Sequence, residues 1–127
     1  MKFYLAGEWQ DRDARIDVVN PATGEVIDTV PEASAADVDL AISAAEQGTA
    51  EMARLTGYER GEILRRATAL LLERKESIAR TLSQEEGKAL AESRLEVDRA
   101  AQTLDLSGEE ARRLCGEQLA LEGAAGV

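Results

Sequence analysis

Residues with strong intrinsic reactivity are rare in this sequence, which has one cysteine and no histidine. Cys115 is therefore the only strong nucleophile by residue type. It falls on an apolar stripe near the C-terminal end of a predicted helix, where the helix dipole disfavours a thiolate. Arg112, three residues earlier, is the basic residue best placed to reach it. We interpret Cys115 as a buried structural cysteine, with a reactive thiol as the alternative.

Two carboxylates stand beside a glycine and a lysine at Glu85, Glu86, Gly87 and Lys88. A carboxylate pair suits acid–base catalysis only when both groups face one pocket, and adjacent residues on a helix point apart. The same residues are typical of a helix C-terminus, with a left-handed glycine and a basic side chain near the negative end of the dipole. We favour this structural interpretation over an acid–base site.

The remaining motifs that carry chemistry do not occur. The glycines match neither the dinucleotide fingerprint nor the phosphate-binding loop. Without histidine there is no recognisable zinc spacing and no serine–histidine dyad. We therefore predict no catalytic and no cofactor-binding residue in this chain.

Charge and hydropathy limit the partners. Fifteen basic and twenty-five acidic residues give a formal net charge of −10, which repels phosphate backbones and anionic membrane surfaces. We predict neither a nucleic-acid nor a membrane partner. No signal peptide or long apolar segment is recognisable, so we expect a cytoplasmic protein.

Short strands are expected at the N-terminus, where β-branched residues flank turn residues. In the stretch NPATGEVI, residues 20–27, Asn20 and Pro21 favour the start of a turn, and Gly24 can adopt the positive φ that closes it. An earlier reversal is predicted at residues 6–8. Residues 1–31 are thus predicted to form a β-hairpin segment.

Three helices are predicted in residues 32–116, over 34–55, 58–86 and 89–115. Ser34 with Asp37, and Thr56 with Glu59, have capping-box spacing, and the second helix is expected to bend near Lys75. Gly87 and Gly116 are expected to end the second and third helices. Residues 117–127 are predicted to form a short strand, over 118–121, and a tail.

Each predicted helix carries apolar residues at helical spacing. The first helix has Val38, Ala41, Ile42 and Ala45. The second has Ile63, Ala67, Leu70, Leu71, Ile78 and Leu82. The third has Leu90, Val97, Ala101, Leu104, Gly108, Ala111 and Cys115. The predicted fold class is mostly α with an N-terminal β-hairpin.

Five segments, taken in order, resemble the N-terminal region of the NAD(P)-dependent aldehyde dehydrogenase superfamily. They are LAGEW at 5–9, NPATGEVI at 20–27, VPEASAADVDLAISAAE at 30–46, ERGEILRRATALLLERKESIARTLSQEEGKAL at 59–90 and AESRLEV at 91–97. The likeness extends from about residue 3 to about residue 121. It identifies the chain as similar to one part of the family's α/β fold.

The resemblance implies a parent enzyme that oxidises an aldehyde to a carboxylic acid with NAD or NADP. The family's catalytic cysteine, glutamate, asparagine and dinucleotide-binding motifs would lie beyond residue 127, so this chain alone is expected to be inactive. Cys115 does not match the family nucleophile. The expected partners are the remainder of the polypeptide and further copies of the same subunit.

The resemblance also implies a possible structural monovalent cation. Backbone oxygens of Val18 or Val19 and the carboxylate of Glu85 would supply part of its ligand set, with the others beyond residue 127. Glu85 stands where several family members have aspartate, and we commit to no metal ligand on this basis.

An alternative of another class is a stand-alone acidic helical interaction module. Its apolar stripes would bind a partner helix or a second copy of the chain. The dehydrogenase interpretation instead expects a truncated chain. Its apolar surface would be exposed where the sheet of the complete fold is missing.

Overall fold

The structure is a computed structural model that describes residues 1–117, and within them four short strands precede four helices. The strands are β1 (Phe3–Leu5), β2 (Glu8–Gln10), β3 (Arg15–Val19) and β4 (Val26–Pro31). The helices are α1 (Ala35–Arg54), α2 (Gly57–Glu73), α3 (Lys75–Glu86) and α4 (Leu90–Arg113). This arrangement confirms the mostly α fold class. The strand predicted over 118–121 lies outside the described residues.

The strands form two separate antiparallel hairpins rather than one sheet. β1 pairs with β2 through a turn in which Ala6 and Gly7 both have positive φ, at 49° and 91°. β3 pairs with β4 around the predicted turn, where the Asn20 side chain accepts the N–H of Ala22 at 2.9 Å. Gly24 closes that turn with a φ of 75°. Both reversals were predicted from their turn residues.

α1 begins at the predicted capping box but buries almost none of its surface. The Ser34 hydroxyl accepts the N–H of Asp37, and the Asp37 carboxylate accepts the N–H of Ser34 at 2.8 Å. The apolar stripe then faces outward, since Val38 is 52% exposed and Ile42 is 55% exposed. The expectation of exposed apolar surface is therefore met on this helix.

The helix predicted over 58–86 is interrupted at Arg74, next to the expected bend. Arg74 has φ −98° and ψ 10°, which lies outside the helical region. Directly after it, Lys75 donates to Asp98 of α4 at 2.7 Å, and Glu76 pairs with Arg94 of α4. Four helices replace three because the non-helical backbone of Arg74 divides the predicted second helix into α2 and α3.

α2 and α4 cross closely at glycines. A Cβ atom on Gly61 would lie 2.9 Å from the carbonyl oxygen of Gly108, and one on Gly57 would lie 2.6 Å from that of Ala111. Real Cβ atoms do not approach oxygen so closely, so the crossing requires residues without side chains. The apolar stripe predicted for α2 does not face this contact: Ile63 is 50% exposed and Leu70 is 48% exposed.

The apolar stripe predicted for α4 is confirmed in its middle, but the prediction omitted a buried residue near the start of the helix. Val97, Ala101 and Gly108 are buried, as predicted. Ser93 lies on the same face, is completely buried, and its hydroxyl has no hydrogen-bond partner in the described part of the chain. Because serine is polar, the search for apolar residues at helical spacing did not include Ser93. The side chain is small enough to fit on the buried face.

Within residues 1–117, none of the helices is long and apolar enough to cross a bilayer.

We expect Gly61→Ala to destabilise the chain by about 1–3 kcal/mol, because its methyl group would press against the Gly108 carbonyl and the Arg112 side chain. Gly48→Ala in α1 is the control. A Cβ atom there meets nothing within 4 Å, so improved helix propensity should stabilise by about 0.5–1 kcal/mol. Urea unfolding midpoints measure both effects. Equal stabilisation by the two substitutions would contradict the close crossing.

Candidate functional site

The residues from Glu85 to Lys88 close α3 and start the turn to α4. Gly87 has a φ of 69°, and its N–H donates to the carbonyl of Ser83 at 3.0 Å. The Ser83 hydroxyl donates to the carbonyl of Lys88 at 2.6 Å. The predicted helix C-terminus with a left-handed glycine is confirmed.

The basic side chain of this turn forms ion pairs with two carboxylates. The Lys88 ammonium contacts the carboxylate of Glu86 at 2.5 Å and that of Glu96 in α4. Hydrogen bonding to Glu86, followed by that to Glu96, raises the pKa of Lys88 above its ordinary value. Glu85 lies exposed beside this cluster. Lys88 thus bridges the carboxylates of Glu86 and Glu96, and the absence of an acid–base site in this turn stays a prediction.

The hairpin turn packs directly on Gly87. A Cβ atom on Gly87 would lie 2.8 Å from Cγ of Pro21 and 3.4 Å from the backbone nitrogen of Ala22. The two segments that carry the strongest local signals, NPATGEVI and EEGK, therefore meet in the folded chain. Gly87 serves both the helix end and this contact.

The meeting of the two segments brings the predicted cation ligands into one region. Gly87 contacts Pro21. Glu85 lies two residues before Gly87, and Val19 lies two residues before Pro21. The side chains of Glu85 and Val19 are exposed. Residues 1–117 contain no group of three or more His, Cys, Asp or Glu side chains placed to hold a metal ion. A monovalent cation at Val19 and Glu85 stays a prediction.

A second polar cluster joins the loop after β2 to the start of α1. The guanidinium of Arg12 binds both oxygens of Asp37, with Nε 3.3 Å from Oδ2. Asp37 Oδ2 also accepts the hydroxyl of Ser34 at 2.7 Å. These bonds, that of Arg12 foremost, hold the pKa of Asp37 far below its ordinary value of 3.8. Sequence analysis predicted the Ser34 and Asp37 pair but not Arg12, which lies twenty-five residues from Asp37.

A third cluster connects α2 with the end of α4. Arg112 donates to Glu62 at 2.8 Å, and its guanidinium lies 5.0 Å from the ring centre of Tyr58. Arg65 binds the same Glu62 carboxylate, and this hydrogen bond lowers the pKa of Glu62. Arg112 thus stabilises the helix crossing.

The prediction that Cys115 is buried is wrong, because Cys115 is exposed. α4 ends at Arg113, and Leu114 has the non-helical ψ of 112°. Cys115 consequently lies beyond the helix and cannot continue its apolar stripe. Gly116 is not among the glycines with positive φ, so it does not end the helix as predicted.

The chain matches known proteins along most of its length. Residues 9–126 match the model of the aldehyde dehydrogenase family. A glutarate-semialdehyde dehydrogenase of Pseudomonas putida is 42% identical over 118 residues, which cover 91% of this chain and 25% of the relative. The succinate-semialdehyde dehydrogenase (NADP(+)) GabD of Escherichia coli is 36% identical over 117 residues, covering 91% and 24%.

The fold also matches a solved structure. The crystal structure of aldehyde dehydrogenase 21 from Physcomitrella patens, in complex with the reaction product succinate, superposes with a TM-score of 0.93 at 38% identity. The match covers 98% of this chain and 26% of that chain. The chain therefore spans about a quarter of the length of the proteins it matches.

We expect the Cys115 thiol to react with Ellman's reagent as completely in the native chain as in the unfolded chain, because the side chain is exposed. Cys115→Ala should change the free energy of unfolding by less than about 0.5 kcal/mol and provides the blank for the assay. A thiol that reacts only in denaturant would show that the cysteine is buried after all.

We expect Asp37→Asn to lower the urea midpoint at neutral pH, since the carboxylate form is the one that Arg12 and Ser34 bind. The folded pKa lies below the ordinary value of 3.8, so this stabilisation is present above that pH and is lost as the pH falls below it. The difference between parent and variant should shrink in that acid range. Asp39→Asn, at an exposed position of the same helix, is the control. A pH-independent difference would argue against the ion pair.

Proposed function

The chain belongs to the aldehyde dehydrogenase family, and we propose that it forms the N-terminal structural part of an enzyme that oxidises an aldehyde to a carboxylic acid with NAD or NADP. The observation that carries the proposal is the family match over residues 9–126, together with the quarter-length coverage of each relative. The catalytic and dinucleotide-binding groups then belong to the remainder of the polypeptide. The chain itself contributes packing and no chemistry.

The uncovered surface of α1 supports this role. Val38 and Ile42 are more than half exposed on one apolar stripe, and a contiguous stripe of this kind is typical of an interface. Alanines at 41, 44 and 45 leave room for a close neighbour along the same helix. We propose that this stripe packs on the remainder of the polypeptide, in a cytoplasmic homo-oligomer.

The proposal predicts that the chain alone is inactive. It also predicts that the chain supports activity when it is joined to the rest of a dehydrogenase. The 127-residue chain should show neither calorimetric binding of NAD or NADP nor aldehyde-dependent reduction of either. A chimera in which it replaces the matching region of the Pseudomonas putida relative should fold and oxidise glutarate semialdehyde. The relative without that region is the control and should be inactive.

Two variants of the chimera separate function from folding. Cys115→Ala should leave turnover unchanged, because the proposal places the catalytic groups in the remainder of the polypeptide. Gly61→Ala should lower the yield of folded chimera through the helix crossing. Micromolar dinucleotide binding or turnover by the chain alone would overturn the proposal. So would a folded chimera that remains inactive.

A further inference from the structure

We draw no further inference here: the strongest candidate, the apolar groove that Met52 of α1 and Ile63 of α2 line with Leu114 at the end of α4, carries nothing, because the chain spans about a quarter of its relatives' length and nothing in the structure shows what covers the groove.

Discussion

The close crossing of α2 and α4 at Gly61 and Gly108 is the constraint on which the helical part depends. Without side chains at this point, the backbone of each helix lies against the carbonyl oxygens of the other. Such an approach excludes water and brings many atoms into van der Waals contact. Arg112 then reaches across to Glu62 and Tyr58 from the end of α4. α3 attaches to α4 through Lys75 and Glu76, and the turn of the second hairpin packs on Gly87, between α3 and α4.

Electrostatic contacts orient the helices of a protein whose hydrophobic core is small in the described residues. In the described residues, the buried apolar side chains are Leu5, Ala79, Val97 and Ala101. Arg94 binds both oxygens of Glu76 and thereby joins α3 to α4, which lowers the pKa of Glu76 to about 2. Single exposed ion pairs contribute little to stability. Their value here lies in fixing the direction of helices that bury little apolar surface.

The thin core and the exposed stripe of α1 agree with the place of the chain in its family. A structural match of TM-score 0.93 to about a quarter of a complete dehydrogenase chain means that this arrangement occurs there as one part of a larger molecule. Apolar surface that is open here is the kind that interfaces cover.

The sequence by itself determined the features that depend on hydrogen bonds between near neighbours. The capping boxes at Ser34 and Thr56, the turn at Asn20 and the left-handed Gly87 follow from residue types a few positions apart, and the order of these segments identified the family. Only the tertiary structure decided the rest. Glycine has no side chain to enter an apolar pattern, so the contact face of α2 at Gly57 and Gly61 was not visible. The partnership of Arg12 with Asp37, and the early end of α4 that exposes Cys115, depend on contacts and backbone geometry that residue spacing does not encode.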